Sequence, residues 1–222
     1  MIELVVLMLL ATALAWCADH IALSPLNGRA WRREVFFSLI LFILLAGFVG
    51  LRRSYNDTFA YRHAYELMKG FPDYWSEVEY KLGSNFGFDI INAWLKTNGI
   101  ISQDFLMIWA CFTAAFYLVF LHKYSSDYAV SIFLFFTTGV YTFLCAAIKQ
   151  TAAVGICLLA THFYLKKRYL AFVICILLAS TIHPYALLYL LIPILTYKPW
   201  SIKTYIFVAV FVIAVSMSFG VE

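Results

Sequence analysis

Residues 127–165 read DYAVSIFLFFTTGVYTFLCAAIKQTAAVGICLLATHFYL, and how this run divides decides the fold. Lys149, followed by Gln150, is its only internal interruption of that kind: a cation and an amide with apolar sequence on both sides. One helix of about 40 residues would be roughly 60 Å long, twice a hydrocarbon core of about 30 Å. Two passes are therefore expected, 128–147 and 150–165, with a tight turn near Lys149–Gln150.

The rest of the chain supports the same solvent. It is 64% apolar, 19% aromatic and 13% charged, with a mean hydropathy of +0.86. Soluble domains are about 45–50% apolar and about 25% charged, so an all-α polytopic membrane protein is expected. Sixteen basic against 12 acidic residues is too small an excess to suggest nucleic acid. Cys17, Cys111, Cys145, Cys157 and Cys175 lie in apolar runs with no CxxC pair, and read as packing thiols rather than metal ligands.

Further spans are expected at 2–18, 35–51, 105–121 and 204–219. The first has no positive n-region, and Trp16 is too large for a small-residue cleavage site, so it reads as a membrane helix rather than a signal peptide. The run 169–196 is interrupted by His183-Pro184. Proline removes an amide donor and disfavours helix at the residue before it. That run is either one kinked span or two short passes, 169–183 and 185–196. The total is about seven or eight transmembrane helices in a single domain, 1–222, with one outer loop of about 50 residues, 52–103, containing short interfacial helices.

Orientation follows from the basic residues of short loops. With the N-terminus outside and both long runs double passes, Arg29, Arg32, Arg33, Lys123, Lys166, Lys167, Arg168, Lys198 and Lys203 face the cytoplasm. The same topology puts Arg52, Arg53, Asn56, Asp57, Lys149, Gln150 and His183 on the outer side. Ionisable groups gathered at one depth of a bilayer suggest a functional site.

Each has a plain role as well as a chemical one. In GLRRSYNDTFAYRHAYELMKG (residues 50–70), Asn56 or Asp57 suits the N-cap of a helix running to Lys69, with Gly70 at its end. Arg52 and Arg53 either snorkel at the interface or hold an anionic headgroup through a guanidinium fork. GSNFGFDIINAWLK (residues 83–96) suits an interfacial helix with Ile90, Ile91, Trp94 and Leu95 on one side and Asp89, Asn92 and Lys96 on the other, forming part of a cavity wall. Lys149 is an interfacial anchor or, beside Gln150 and a helix N-terminus, an anion site suited to phosphate. His183 either satisfies backbone groups at the break or serves as a general base. No GxSxG, HExxH, P-loop or GxGxxG motif is present.

In their order and spacing, GLRRSYNDTFAY (50–61), NFGFDIINAWLK (85–96), IKQTAAVGICLLA (148–160) and LLASTIHPYALLYL (177–190) resemble the EpsG family of Wzy-like exopolysaccharide and O-antigen polymerases. The resemblance implies an enzyme at the outer face of the bacterial inner membrane that joins repeat units carried on undecaprenyl diphosphate, without metal or cofactor. It implies a polyprenyl-diphosphate-linked oligosaccharide substrate, membrane lipid around it, and a flippase and chain-length regulators as partners. Arg52 or Arg53 with Asn56, Lys149 and Gln150 would bind substrate, and His183 or Asp57 would deprotonate the acceptor hydroxyl.

Three departures stand out. Lys149 occupies a position where the family usually has arginine before glutamine, proline follows the histidine, and the chain ends at Glu222 where relatives continue for several spans. A short or truncated member is therefore expected. The rival expectations are a transporter or flippase of lipid-linked glycans, another membrane glycan ligase or acyltransferase, and a non-catalytic truncated membrane protein. Paired interrupted helices in two related halves, the mark of many transporters, are not visible.

Overall fold

The structure, a computed structural model, describes residues 2–21, 34–77, 84–196 and 200–219. Arg29, Arg32, Arg33, Lys198 and Gly83 lie outside them. The described residues form helices and no strands: α1 (Ile2–His20), α2 (Val35–Gly50), α3 (Thr58–Leu67), α4 (Tyr74–Glu77), α5 (Phe86–Thr97), α6 (Ser102–Tyr124), α7 (Tyr128–Thr137), α8 (Val140–Ala146), α9 (Ile148–Leu165) and α10 (Tyr169–Ile182). A 3-10 segment (Pro184–Leu191), α11 (Ile192–Thr196) and α12 (Ile202–Phe219) follow.

By length and composition α1, α6 and α9 can each cross a membrane, and the α7–α8 pair makes a fourth crossing if taken as one broken span. Val35–Gly50, Tyr169–Ile182, Pro184–Thr196 and Ile202–Ala214 are shorter apolar helices. The expected span 105–121 begins earlier, at Ser102, and ends later, at Tyr124.

The run that opens the sequence divides differently from the expectation. Its helix breaks first between Thr137 and Val140, with a 55° bend. Gly139 supplies the break by adopting a left-handed φ of 81°, which glycine takes without a Cβ penalty. A second break falls at Ala147, so α9 starts at Ile148 and Lys149 and Gln150 occupy its first turn rather than the turn before it. The Tyr128 amide donates to Asp19 at the C-terminal end of α1 (2.7 Å), whereas Cys145 lies within electrostatic reach of Arg52 just beyond α2. The bent pair therefore joins opposite ends of the bundle.

The His183-Pro184 run also resolves. His183 is extended (φ −151°, ψ 118°), as the residue before proline prefers, and its amide closes α10 on the Ala179 carbonyl at 2.9 Å. Beyond it the chain turns back. Thr196 meets the Tyr164 hydroxyl near the C-terminal end of α9 at 2.5 Å, and Leu187, Leu190 and Ile192 pack on Phe172, Cys175 and Ile176. Residues 184–196 thus run back along α10 instead of continuing it.

Packing follows small residues. Ala11, Ala15 and Ala18 of α1, all fully buried, let α2 and α7 approach closely around Leu41, Leu45, Tyr128 and Ile132. A second core joins Tyr65 of α3 and Phe88 of α5 to Phe105 and Trp109 of α6, Ala152 of α9 and Ile182 of α10. Through it the loop after α2 becomes a folded cap on one end of the bundle. Hydrogen bonds stitch it down: Tyr65 to the Ile100 carbonyl (2.8 Å), Ser102 to the Glu66 carboxylate (2.6 Å) and Gln103 to the Gly50 carbonyl (2.6 Å). Lys123, Lys166 and Arg168 converge near His162 at the opposite end of the bundle from the cap.

Candidate functional site

Beneath the cap, α3, α5, α6 and the N-terminal turn of α9 enclose a cavity of about 290 Å³. Helical spacing aims its side chains. On α3 the residues at 57, 61 and 65 are four apart and share a face, so Asp57, Tyr61 and Tyr65 form one wall. Phe88, Asp89 and Asn92 of α5 form another, and Lys149 of α9 enters between them. Its Nζ stands 5.1 Å from the centroid of the Phe88 ring, a cation–π contact that steadies the ammonium without neutralising it.

The start of α9 contributes more than a lysine. The backbone N–H of Lys149 lies within electrostatic reach of the Tyr61 hydroxyl, and the N–H groups of a first turn favour negative charge. Lys149 lies within electrostatic reach of Asp89 and of His183. Burial raises the Asp89 carboxyl above its ordinary range, and the Lys149 charge partly opposes that rise. Burial likewise pushes the Tyr61 hydroxyl up.

The sequence-derived candidates separate into three groups. Asp57 and Lys149 line the cavity. Asp57 holds the N-cap position of α3, but its side chain makes no capping hydrogen bond, so the cap reading is corrected: the carboxylate is left to the cavity. Lys69 and Gly70 lie past the end of α3, which closes at Met68; Gly70 instead lets the chain pass Thr97, whose Oγ1 would lie 2.8 Å from an added Cβ.

Arg52 and His183 stand behind the cavity walls. The Arg52 Nε donates to Thr58 Oγ1 (2.9 Å) and one terminal nitrogen to the Val49 carbonyl, tying α2 to α3. Its other terminal nitrogen is buried without a partner. His183 has a buried, unpartnered Nδ1 and does not line the cavity. Arg53 and Asn56 are exposed, the latter with a left-handed φ of 44°, and Gln150 is half-buried outside the lining.

Sequence reasoning missed Tyr61 and the pairing of Asn92. Asn92 is 2% exposed, and its Oδ1 accepts from Trp109 Nε1 at 2.9 Å. The spacing 57–61–65 was the available signal for Tyr61; nothing local announces Trp109. Trp109→Phe removes the only donor to that buried oxygen among the described residues, and the expected cost is about 1–3 kcal/mol of stability. Thermal unfolding of the detergent-solubilised chain measures it, and an unchanged midpoint would refute it.

The comparisons with known proteins now bear on this cap, cavity and helix break. The family model described as "EpsG family" matches residues 35–221, most of the chain. The chain belongs to the EpsG family. The match covers every element that builds the cavity and leaves out residues 1–34, which include α1, and Glu222. No curated protein and no solved structure matches. EpsG membership makes this a polysaccharide-polymerase-like membrane protein in the context of lipid-linked oligosaccharides.

Proposed function

We propose that the chain polymerises polyprenyl-diphosphate-linked oligosaccharide repeat units into exopolysaccharide or O-antigen, as a glycosyltransferase at the outer face of the bacterial inner membrane. In this reading 1–222 is one membrane domain. In it α1, α2, α6, the α7–α8 pair, α9, α10, the 184–196 return and α12 each traverse the bilayer, and the cap faces outward.

The observation that carries the reading is the Lys149 ammonium, placed at a helix N-terminus inside a cavity that also presents carboxylates and aromatic rings. Aromatic faces and carboxylates suit sugars, and the cation with first-turn amides suits a diphosphate. Lys149 stabilises the charge that develops on undecaprenyl diphosphate as it leaves, with Arg52, Arg53, Asn56 and Gln150 around the headgroup. Stabilising that charge supplies the larger share of the rate. A base at the cavity accepts the acceptor proton; of the sequence-derived candidates, Asp57 lines the cavity and His183 stands behind its wall.

Reconstitution of the full chain in liposomes with an undecaprenyl-diphosphate-linked repeat unit tests this. A ladder of glycan lengths is expected. Transbilayer movement of the substrate without any ladder would make the chain a transporter instead.

A further inference from the structure

Three groups near the cavity could accept a proton, and their placement distinguishes them. His183 is off the lining. Asp57 is exposed at the start of α3, where water competes for its carboxylate. Asp89 is half-buried in the first turn of α5, lines the cavity, and feels burial and Lys149 but, among the described residues, no hydrogen-bond donor.

Asn92, three residues on, lies on the same helix face. Trp109 Nε1 occupies its Oδ1, which orients the amide so that its N–H₂ side is the one left to donate to a ligand in the cavity. One face of α5 therefore offers a proton acceptor and a hydrogen-bond donor, with a cation on the adjoining wall.

We propose, resting on the polymerase reading, that Asp89 is the general base of glycosyl transfer and that Asn92 positions the acceptor sugar beside it. The acceptor hydroxyl gives its proton to the Asp89 carboxylate as its oxygen bonds to the anomeric carbon of the donor unit. The bond from that carbon to the diphosphate oxygen breaks, and the electron pair leaves with undecaprenyl diphosphate toward Lys149. The products are a glycan lengthened by the transferred units and undecaprenyl diphosphate.

The acid–base behaviour fits. Burial holds Asp89 above the ordinary carboxylate range, and a stronger base accepts a hydroxyl proton more readily near neutrality. The titratable and charged groups that line the cavity with it are Asp57, Tyr61 and Tyr65 from α3 and Lys149 from α9, and it is the Lys149 charge that reaches its carboxyl. Asp89 must be ionised to act, so polymerisation rises with pH through its raised pKa.

The test compares wild type, Asp89→Asn and Asp89→Glu as full chains in liposomes. It scores ladder formation against pH with a lipid-linked repeat unit, and binding with farnesyl diphosphate as probe. Asp89→Asn is expected to lose about 10²–10⁴-fold in ladder formation and to lose the acid limb of its pH profile, while binding farnesyl diphosphate no more weakly than wild type. Asp89→Glu is expected to restore part of the rate and the acid limb.

A wild-type ladder from Asp89→Asn, or an acid limb unchanged in its residual activity, would overturn the assignment. So would loss of farnesyl diphosphate binding in parallel with the ladder, which would make Asp89 a structural partner of Lys149. If wild type binds the probe but forms no ladder, it is the polymerase reading that falls, and this assignment with it.

Discussion

Lys149→Ala is expected to abolish polymer in a host deleted for the gene and complemented with the variant, while the chain still accumulates in the membrane. Removal of one preorganised group that stabilises transition-state charge costs about 10²–10³-fold in rate. Here the same side chain is also the cation that lines the cavity, so binding and rate fall together. The helix N-terminus remains in Lys149→Ala, which is why residual probe binding is expected rather than none. Lys149→Arg separates charge from shape. A guanidinium keeps the charge and adds a fork that matches diphosphate oxygens, so polymer at or above the wild-type level is expected. Farnesyl diphosphate affinity, measured on the same purified variants, should rank arginine and lysine together and alanine well below. Normal polymer length with Lys149→Ala would remove Lys149 from the reaction.

Much of this was legible because it rests on local physics. Proline at 184 dictated an extended residue at 183, and a cation between apolar runs marked the break that precedes α9, although the helix begins at Ile148, before the pair instead of after it. Membership of the family followed from short motifs spread over the chain. What was not legible depends on tertiary placement. Gly139 breaks the α7–α8 run, yet a glycine in an apolar stretch gives no local notice that it will take a positive φ. His183 looked as suitable a base as Asp57, and only packing shows that α10 holds it behind the wall. Asp89 read as the polar side of an interfacial helix. It became a cavity residue because Phe88, beside it, is buried against Trp109 at a ring separation of 4.8 Å, which turns that face of α5 inward. Ile91 and Trp94 stay exposed on the other face, as a lipid-contacting helix requires, whereas Leu95 turns inward with Phe88.

The second large effect is expected where no charge is involved. An ideal Cβ on Gly87 would collide with the Thr181 hydroxyl, approach the Thr181 Cβ to 2.7 Å and meet the Thr181 carbonyl oxygen at 3.0 Å. Backbone oxygen cannot swing aside as a flexible side chain can, so α5 must lift away from α10. Gly87 immediately precedes Phe88 and Asp89, and Thr181 lies two residues before His183. A shift at this contact therefore moves Asp89 relative to Lys149, and a misplacement of about 1 Å can cost about 10²-fold in rate. Gly87→Val is expected to lose polymer on that scale while the chain remains inserted and α9 remains folded. Gly47→Ala is the control, since nothing lies within 4 Å of a Cβ there and the residue sits in the interior of α2. Pairing Gly87→Ala with Thr181→Gly removes the two nearest contacts, both with the Thr181 side chain, and leaves the 3.0 Å carbonyl contact, so it should recover more polymer than Gly87→Ala alone. Polymer from Gly87→Val equal to that from Gly47→Ala would show that the seat of α5 on α10 does not set the geometry of the cavity.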